Sequence, residues 1–503
     1  MLRIPRLRAA VGAAPLLALL ALPAAAQPAP AWAPMLDSLA KDALARSKAP
    51  GLTLAVVADN RMVYAQGYGV ANIETRQPMS ADMLLRVGSV TKVFTGTMLA
   101  ELAESRGFAL DAPIGTVVPS LAGKQVGAVT THQLMTHSAG WIDNAVAYGR
   151  MGEGALGEVM REVTDTLFFT GAGRTFSYSN PGVSMAGYVG EAAGRQRFAT
   201  LVETLVLRPT GMRISTFKPL EALTCPLAHG HQSGADTVMR LVRPMTENTA
   251  QWAAGFLFSS APELARFTVA MMNGGLIDGR QAFSRGAARR VTTGYVAHPG
   301  GSGLDSAMYG YGLVVGRLGG ERVWTHGGAI TGYNASMLML PDRKAAVVVL
   351  VNGPGGAIAT IEREALRLAV GFAPERPAPP TPRPLTPVER TALAGRYAMG
   401  RTAVELRDEG GQLLLLQGTT RAPIQATGST QLVATLPNAS PQRLHYRLAD
   451  GRAEYLYLGS RALARQPAPG PVRCAGLRPD ACTPRTGRSS PAECARYGQC
   501  HGR

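Results

Sequence analysis

Seven prolines fall between Ala373 and Pro387. Proline fixes φ and removes a backbone donor, so a run of this density is a stiff, extended spacer with no core of its own. The chain on either side must therefore fold separately. For a chain of 503 residues that division agrees with ordinary domain lengths of about 100–200 residues. It sets a large domain over 27–372, a linker over 373–388 and a small domain over 389–466.

The two ends of the chain read differently. Arg3, Arg6 and Arg8 precede an apolar run centred on Leu16, Leu17, Leu19 and Leu20, which closes on Ala24, Ala25 and Ala26. This is the pattern of a secretory signal peptide over 1–26, and it predicts a periplasmic or secreted protein. The apolar core is shorter than the roughly 20 residues a spanning helix needs, and no later stretch is long and apolar enough, so no transmembrane span is expected after signal removal. Residues 467–503 are rich in Pro, Arg and Cys and are expected to be disordered unless disulfides tie them down. An oxidising compartment permits those bonds. Cys474, Cys482, Cys494 and Cys500 allow three pairings that sequence does not choose between, and Cys225 has no obvious partner. The spacings match no zinc pattern, and no cofactor is implied.

The formal net charge is +17, and only three of those charges leave with the signal. The basic residues are scattered arginines, not a stripe interleaved with aromatics, which argues against nucleic acid as a partner. A solvated basic surface suits contact with an anionic envelope or cell-wall polymer.

Within the large domain, strand and helix periods alternate. Met35 to Lys48 reads as a helix, and Thr53–Ala58 and Met62–Val70 read as a hairpin turning on Asp59, Asn60 and Arg61. Ser89 to Arg106 has helical spacing, with Val90, Val93, Phe94, Thr97, Met98 and Leu102 on one broad face and Gly107 placed as a C-terminal cap. Further helical segments are expected at Thr131–Ser138, Ser184–Ala193 and Ala261–Asn273. Strand patterns return at Gly312–Arg317, Arg322–Thr325, Ala335–Leu340 and Ala345–Val351, and Ile358–Val370 reads as a closing helix. Strands at both ends with helices between them predict an α/β (α+β) domain whose antiparallel sheet is completed only when the two ends meet. In the small domain, six short strand patterns (Arg396–Ala398, Ala403–Arg407, Gln412–Gln417, Thr430–Thr435, Leu444–Leu448, Glu454–Leu458) predict an all-β barrel or sandwich.

The residues that carry chemistry begin with Ser89-Val90-Thr91-Lys92. A spacing of three places serine and lysine on one helix face, so the amine can reach the hydroxyl. Serine is a poor nucleophile until a base takes its proton, and lysine serves only where burial or a nearby cation lowers its pKa. A helix N-terminus adds partial positive charge where an oxyanion would form. Alone the motif is common, since Ser89 read as an N-cap and Lys92 as a wet surface residue satisfy it equally. Two further motifs follow in order: Tyr178-Ser179-Asn180 after a Gly-containing loop, and His326-Gly327-Gly328 after the strand pattern ending Val323-Trp324-Thr325.

With these three motifs on the page, the sequence resembles the serine β-lactamase and penicillin-binding protein superfamily. The branch is the one holding class C β-lactamases, D-alanyl-D-alanine carboxypeptidases, D-aminopeptidases and related esterases. Leu85–Lys92, Thr131–Gly140, Gly255–Gly275 and Tyr309–Gly316 support the likeness, which spans about residues 35 to 370. The resemblance implies a β-lactamase/transpeptidase-like fold, a catalytic group of Ser89, Lys92 and Tyr178, and a substrate-binding group of Asn180, His326, Gly327 and Gly328. By the same analogy the backbone N–H groups of Ser89 and Ala329 form the oxyanion hole. His326 stands where many members carry lysine, and is expected to face the cleft beside Tyr178 with a switchable positive charge. Gly327 and Gly328 suit an edge strand that a substrate approaches closely. His132 and His137 read as packing or capping groups. The small β domain is similar to the lipocalin-like domains that some of these peptidases carry.

The motif set implies an exported serine hydrolase forming an acyl-enzyme on amides or esters, with D-amino-acid peptides as the first substrate class. An esterase or weak β-lactamase using the same site remains an alternative. So does a non-catalytic envelope-binding protein that keeps the fold.

Overall fold

The computed structural model describes residues 29–467 apart from 145, 147, 301–302, 375–380 and 437–439. The expected signal peptide, the tail after Pro467 with its four cysteines and the middle of the linker lie outside the described residues. Contacts divide the chain into two compact units: one runs to Pro379 and includes Gly459–Arg461, the other takes Pro380–Leu458 and the chain from Ala462.

The first unit is built on a nine-stranded sheet. Its order is Val296–Ala297, Asp305–Tyr309, Val314–Leu318, Glu321–Ile330, Tyr333–Leu340, Ala345–Val351, Gly51–Ala58, Arg61–Asn72 and Gln77–Pro78, with every neighbouring pair antiparallel. The centre joins the two ends of the unit, with Leu52 opposite Val351 and Val57 opposite Ala346. Apart from the buried Thr53 both strands are apolar because both sheet faces are covered, and side chains alternate between the two cores. Leu52, Leu54 and Val56 pack with Val347, Val349 and Val351 against the helices Ala33–Ser47 and Ile358–Val370, through Leu36, Ala40, Ile361 and Ala365. Ala55 and Val57, with Ala346, Val348 and Leu350, face the opposite core.

That second core contains the helix Thr91–Arg106, buried at every position from Thr91 to Ala100. A short 3₁₀ turn, Gly88–Val90, leads into it and ends the preceding strand Leu85–Arg86. The helix closes at Gly107, whose φ of 65° gives the left-handed cap that the sequence position suggests. Ala261–Met272 packs in the same core, and the Ser260 hydroxyl caps it by accepting from the Glu263 N–H at 3.4 Å.

The second unit is a closed barrel of eight antiparallel strands: Gly395–Met399, Thr402–Glu409, Gln412–Gln417, Thr420–Ala426, Gln431–Ala434, Gln442–Ala449, Arg452–Leu458 and Arg461–Arg465. Closure falls between the first and last, where Tyr397 pairs with Arg465 and Ala398 with Ala464. Tyr397, Leu406, Leu415, Leu432, Leu444 and Leu456 are buried in it. Two strands go beyond the sequence patterns, Thr420–Ala426 because Pro423 argues against a ladder strand and Arg461–Arg465 because it lacks β-branched residues. The end of the expected linker is not extended. Pro387–Leu393 is a helix, started by a capping box in which Thr386 and Glu389 satisfy one another's backbone N–H groups.

Candidate active site

Ser89 sits in the 3₁₀ turn at the head of the buried helix, and Lys92 lies one turn on, with its side chain fully enclosed. The Lys92 Nζ is 3.1 Å from Ser89 Oγ, 2.7 Å from Asn180 Oδ1 and 2.6 Å from the Ala254 carbonyl oxygen. Burial pushes the amine down to about 7, and the Asp143 carboxylate partly opposes that effect. A neutral amine has two N–H donors and one lone pair. Asn180 Oδ1 and the Ala254 carbonyl can only accept, so they take both donors, and the lone pair is left for the Ser89 hydroxyl. A second contact completes the serine's surroundings: the Tyr178 hydroxyl donates to Ser89 Oγ at 2.8 Å. Burial raises the Tyr178 phenol above its ordinary pKa, which keeps it a donor at neutral pH.

Local structure explains how Tyr178 and Asn180 come to this point. Ser179 between them is the N-cap of the helix Asn180–Gly194; its hydroxyl accepts from the Gly182 N–H at 3.2 Å and donates to the Ile142 carbonyl at 2.9 Å. The Ser179 N–H donates to His137 Nδ1 at 3.0 Å, and the His137 ring lies 4.3 Å from the Tyr178 ring. Asp143 fixes Asn180 from the far side, because its Oδ1 accepts from both the backbone N–H and the Nδ2–H of Asn180, each at 3.0 Å. Its other oxygen accepts from Arg461 Nε at 2.7 Å.

The third motif lies on the strand Glu321–Ile330. This strand is internal over Glu321–Thr325, where it pairs with Val314–Leu318, and it opens as a local edge from His326 onward. Gly327 has room there, since a Cβ would meet nothing closer than 3.8 Å. Gly328 answers a different need: a Cβ would stand 2.0 Å from the Val87 carbonyl oxygen and 3.1 Å from the Ser89 nitrogen. Gly88, at φ 52°, is also closely pressed, its Cβ position being 2.6 Å from the Ala329 nitrogen. Two glycines thus let the strand approach the turn and bring the Ser89 and Ala329 backbones together.

His326 departs from the expectation of a switchable cation. It is buried; its Nδ1 faces the Gly327 carbonyl at 2.5 Å and must donate, leaving Nε2 to accept from the Tyr309 hydroxyl at 3.0 Å. Burial pushes the imidazole down to about 3, so it is neutral at physiological pH.

Seven of the eight residues read from sequence (Ser89, Tyr178, Asn180, His326, Gly327, Gly328 and Ala329) line one cleft of about 780 Å³. Lys92 lies behind Ser89. That volume falls in the usual range of about 300–1,000 Å³ for small-molecule sites. Sequence reasoning missed Asp143, Tyr309 and the Ala254 carbonyl as partners of these groups. Tyr309 and Ala254 fall in or beside blocks that carry the family likeness, whereas Asp143 follows the Thr131–Gly140 block with no motif of its own. Among the described residues no cluster of His, Cys, Asp and Glu could hold a metal ion, and no helix is long and apolar enough to cross a membrane.

The mixed sheet-and-helix fold with its serine-bearing turn is that of a serine hydrolase of the β-lactamase and penicillin-binding protein type. The chain belongs to the beta-lactamase family, whose model, "Beta-lactamase", matches residues 36–439. It is similar to a D-aminopeptidase of Gluconobacter oxydans (strain 621H), 27% identical over 370 residues, which cover 73% of this chain and 66% of that protein. Penicillin-binding protein 4 of Amycolatopsis lactamdurans is 25% identical over 361 residues, 69% of this chain and 93% of that protein. Esterase EstB of Burkholderia gladioli is 30% identical over 203 residues, 37% of this chain and 52% of the esterase. At the level of fold, a crystal structure of SurE matches with a TM-score of 0.71 at 24% identity, covering 86% of this chain and 99% of SurE. The D-alanine carboxypeptidase AmpC of Burkholderia cenocepacia matches with 0.55 at 23% identity, covering 66% and 99%.

Proposed function

We propose that the chain is an exported hydrolase that cleaves amide or ester bonds of D-amino-acid peptides and related small substrates through an acyl-enzyme on Ser89. The observation that carries this reading is the arrangement around Lys92, where two groups, Asn180 Oδ1 and the Ala254 carbonyl, can only accept and only Ser89 can supply the proton that the lone pair accepts. As Ser89 Oγ bonds to the substrate carbonyl carbon, its proton passes to Lys92 and the carbonyl oxygen takes the negative charge. The N–H groups of Ser89 and Ala329 stabilise that oxyanion. Collapse breaks the bond to the leaving amine or alkoxide, which receives a proton relayed through Tyr178, itself reprotonated from Lys92. Water then repeats the sequence on the acyl-enzyme and releases the acid, with Ser89 and Lys92 returned to their starting states.

Support for the substrate class comes from relatives: D-aminopeptidases of Gluconobacter oxydans and Brucella anthropi both match over most of this chain. The neutral His326 weighs against efficient β-lactam hydrolysis, because it offers no fixed cation to a drug carboxylate. The similarity to Esterase EstB favours esters as the second reading. The N-terminal signal pattern supports export. Purified mature chain assayed against D- and L-aminoacyl p-nitroanilides, p-nitrophenyl esters and a chromogenic cephalosporin tests the assignment. Turnover greatest on D-aminoacyl amides is expected, and turnover confined to esters would replace this reading with the second.

A further inference from the structure

Asn180 can present either end of its amide to Lys92, and the two ends have opposite chemistry. Turned one way, Oδ1 accepts an amine proton. Flipped, the NH₂ group would face the amine, oppose its donors and remove one of the two acceptors that leave the lone pair free. Nothing within the Lys92–Ser89 pair decides between these orientations. The decision comes from Asp143, whose Oδ1 accepts from Asn180 Nδ2 and from the Asn180 backbone N–H at 3.0 Å each. A carboxylate is acceptor-only, so the Nδ2 end must face it. The Asp143 side chain is only 5% exposed, so the interaction is little screened by water.

We propose that Asp143 is a positioning residue for the catalytic lysine: by locking the Asn180 amide it gives Lys92 two acceptors and directs the lone pair of the amine at Ser89. This rests on the reading of Lys92 as the base of Ser89. Asp143 also acts by charge. The groups whose charge bears on Lys92 are Asp143, Arg461 of the segment Gly459–Arg461 that groups with this unit, His137 and His326. Tyr178, Asn180 and the Ala254 carbonyl contact it directly or through Ser89. Burial keeps both histidines neutral, Asp143 raises the lysine and Arg461 lowers it. Removing the carboxylate therefore drives the lysine further down on two counts, by loss of an anion and by release of the Arg461 guanidinium from its partner.

The test is the second-order rate of Ser89 modification by a fluorophosphonate probe, measured between pH 5 and 9 on the full mature chain. Asp143→Ala should lower the plateau rate by about tenfold or more, the worth of a hydrogen bond to a charged group. Asp143→Asn keeps an acceptor oxygen for Asn180 and should stay within roughly threefold of wild type. In both variants the acid limb should move to lower pH, a displacement that loss of packing alone does not produce. A wild-type rate and an unmoved limb in Asp143→Ala would overturn the proposal. So would a limb that stays in place in Asp143→Asn, the variant that conserves shape if alanine is not tolerated. Ser89→Ala separates this from the broader reading: if it abolishes labelling while both Asp143 variants behave as wild type, only the positioning role fails. If wild-type Ser89 is never labelled, the acyl-enzyme reading fails and takes this inference with it.

Discussion

Replacing Lys92 by methionine should remove a pH dependence of stability together with catalysis. In the folded chain burial holds the amine down to about 7, against 10.5 in a free lysine. Between those values the unfolded chain binds a proton that the folded chain does not, so the stability of the wild type rises with pH across this window. The slope is about 1.36 kcal/mol per pH unit for one proton. Methionine has no proton to bind, so the wild type should gain roughly 2.7 kcal/mol on Lys92→Met between pH 7.5 and 9.5. Methionine also leaves Asn180 Oδ1 and the Ala254 carbonyl without a donor, but that cost is nearly independent of pH and cancels in the comparison. Urea unfolding followed by tryptophan fluorescence gives the difference directly. All four tryptophans (Trp32, Trp141, Trp252 and Trp324) lie in the first unit and report on it alone. A stability difference that stays constant from pH 7.5 to 9.5 would show that Lys92 is charged in the native state and would refute the account of it as a base. Labelling at the serine should be strongly slowed in the same variant.

Other consequences follow from the same geometry. Tyr178→Phe removes the hydroxyl that donates to Ser89 while keeping the ring beside His137; turnover should fall by about 10²–10⁴-fold with unfolding midpoints nearly unchanged, and comparable turnover would remove the phenol from the proton path. Gly328→Ala drives a Cβ to 2.0 Å from the Val87 carbonyl oxygen; it should cost several kcal/mol, on the order of 2–4, in urea unfolding, whereas Gly327→Ala, with 3.8 Å of clearance, should be tolerated in the fold. His326→Gln should leave the acid limb of the rate profile in place, because a histidine held at about 3 does not titrate between pH 5 and 8; a limb that moves would mean the imidazole carries charge in the working site.

Much of the architecture was legible because the features that specify it are local. Strand patterns at Thr53–Ala58 and Ala345–Val351 marked two strands that pair where the ends of the unit meet, and the helical spacing after Ser89 marked the core helix that displays it. The Pro-rich run marked a division between units, although the helix Pro387–Leu393 shows that its last residues serve as a capped helix start. What escaped the sequence depends on tertiary neighbours. Pro423 hid a barrel strand whose other positions pair normally. His326 looked like a pH switch because a motif carries no record of burial, and its neutrality follows from the carbonyl and hydroxyl that enclose it. Asp143 had no motif at all; its importance arises from a hydrogen bond to a residue 37 positions away. Gly328 was legible as a glycine needed for close approach, but the group it makes room for is the turn holding Ser89, not only an incoming substrate.

The central claim is that one hydroxyl, that of Ser89, becomes covalently attached to the substrate acyl group. Intact-mass and peptide mass spectrometry after treatment with a fluorophosphonate measures it most directly. A single adduct on the peptide containing Ser89, absent in Ser89→Ala and strongly slowed in Lys92→Met, is the expected result. An adduct on another residue, or hydrolytic turnover that survives in Ser89→Ala, would contradict the account.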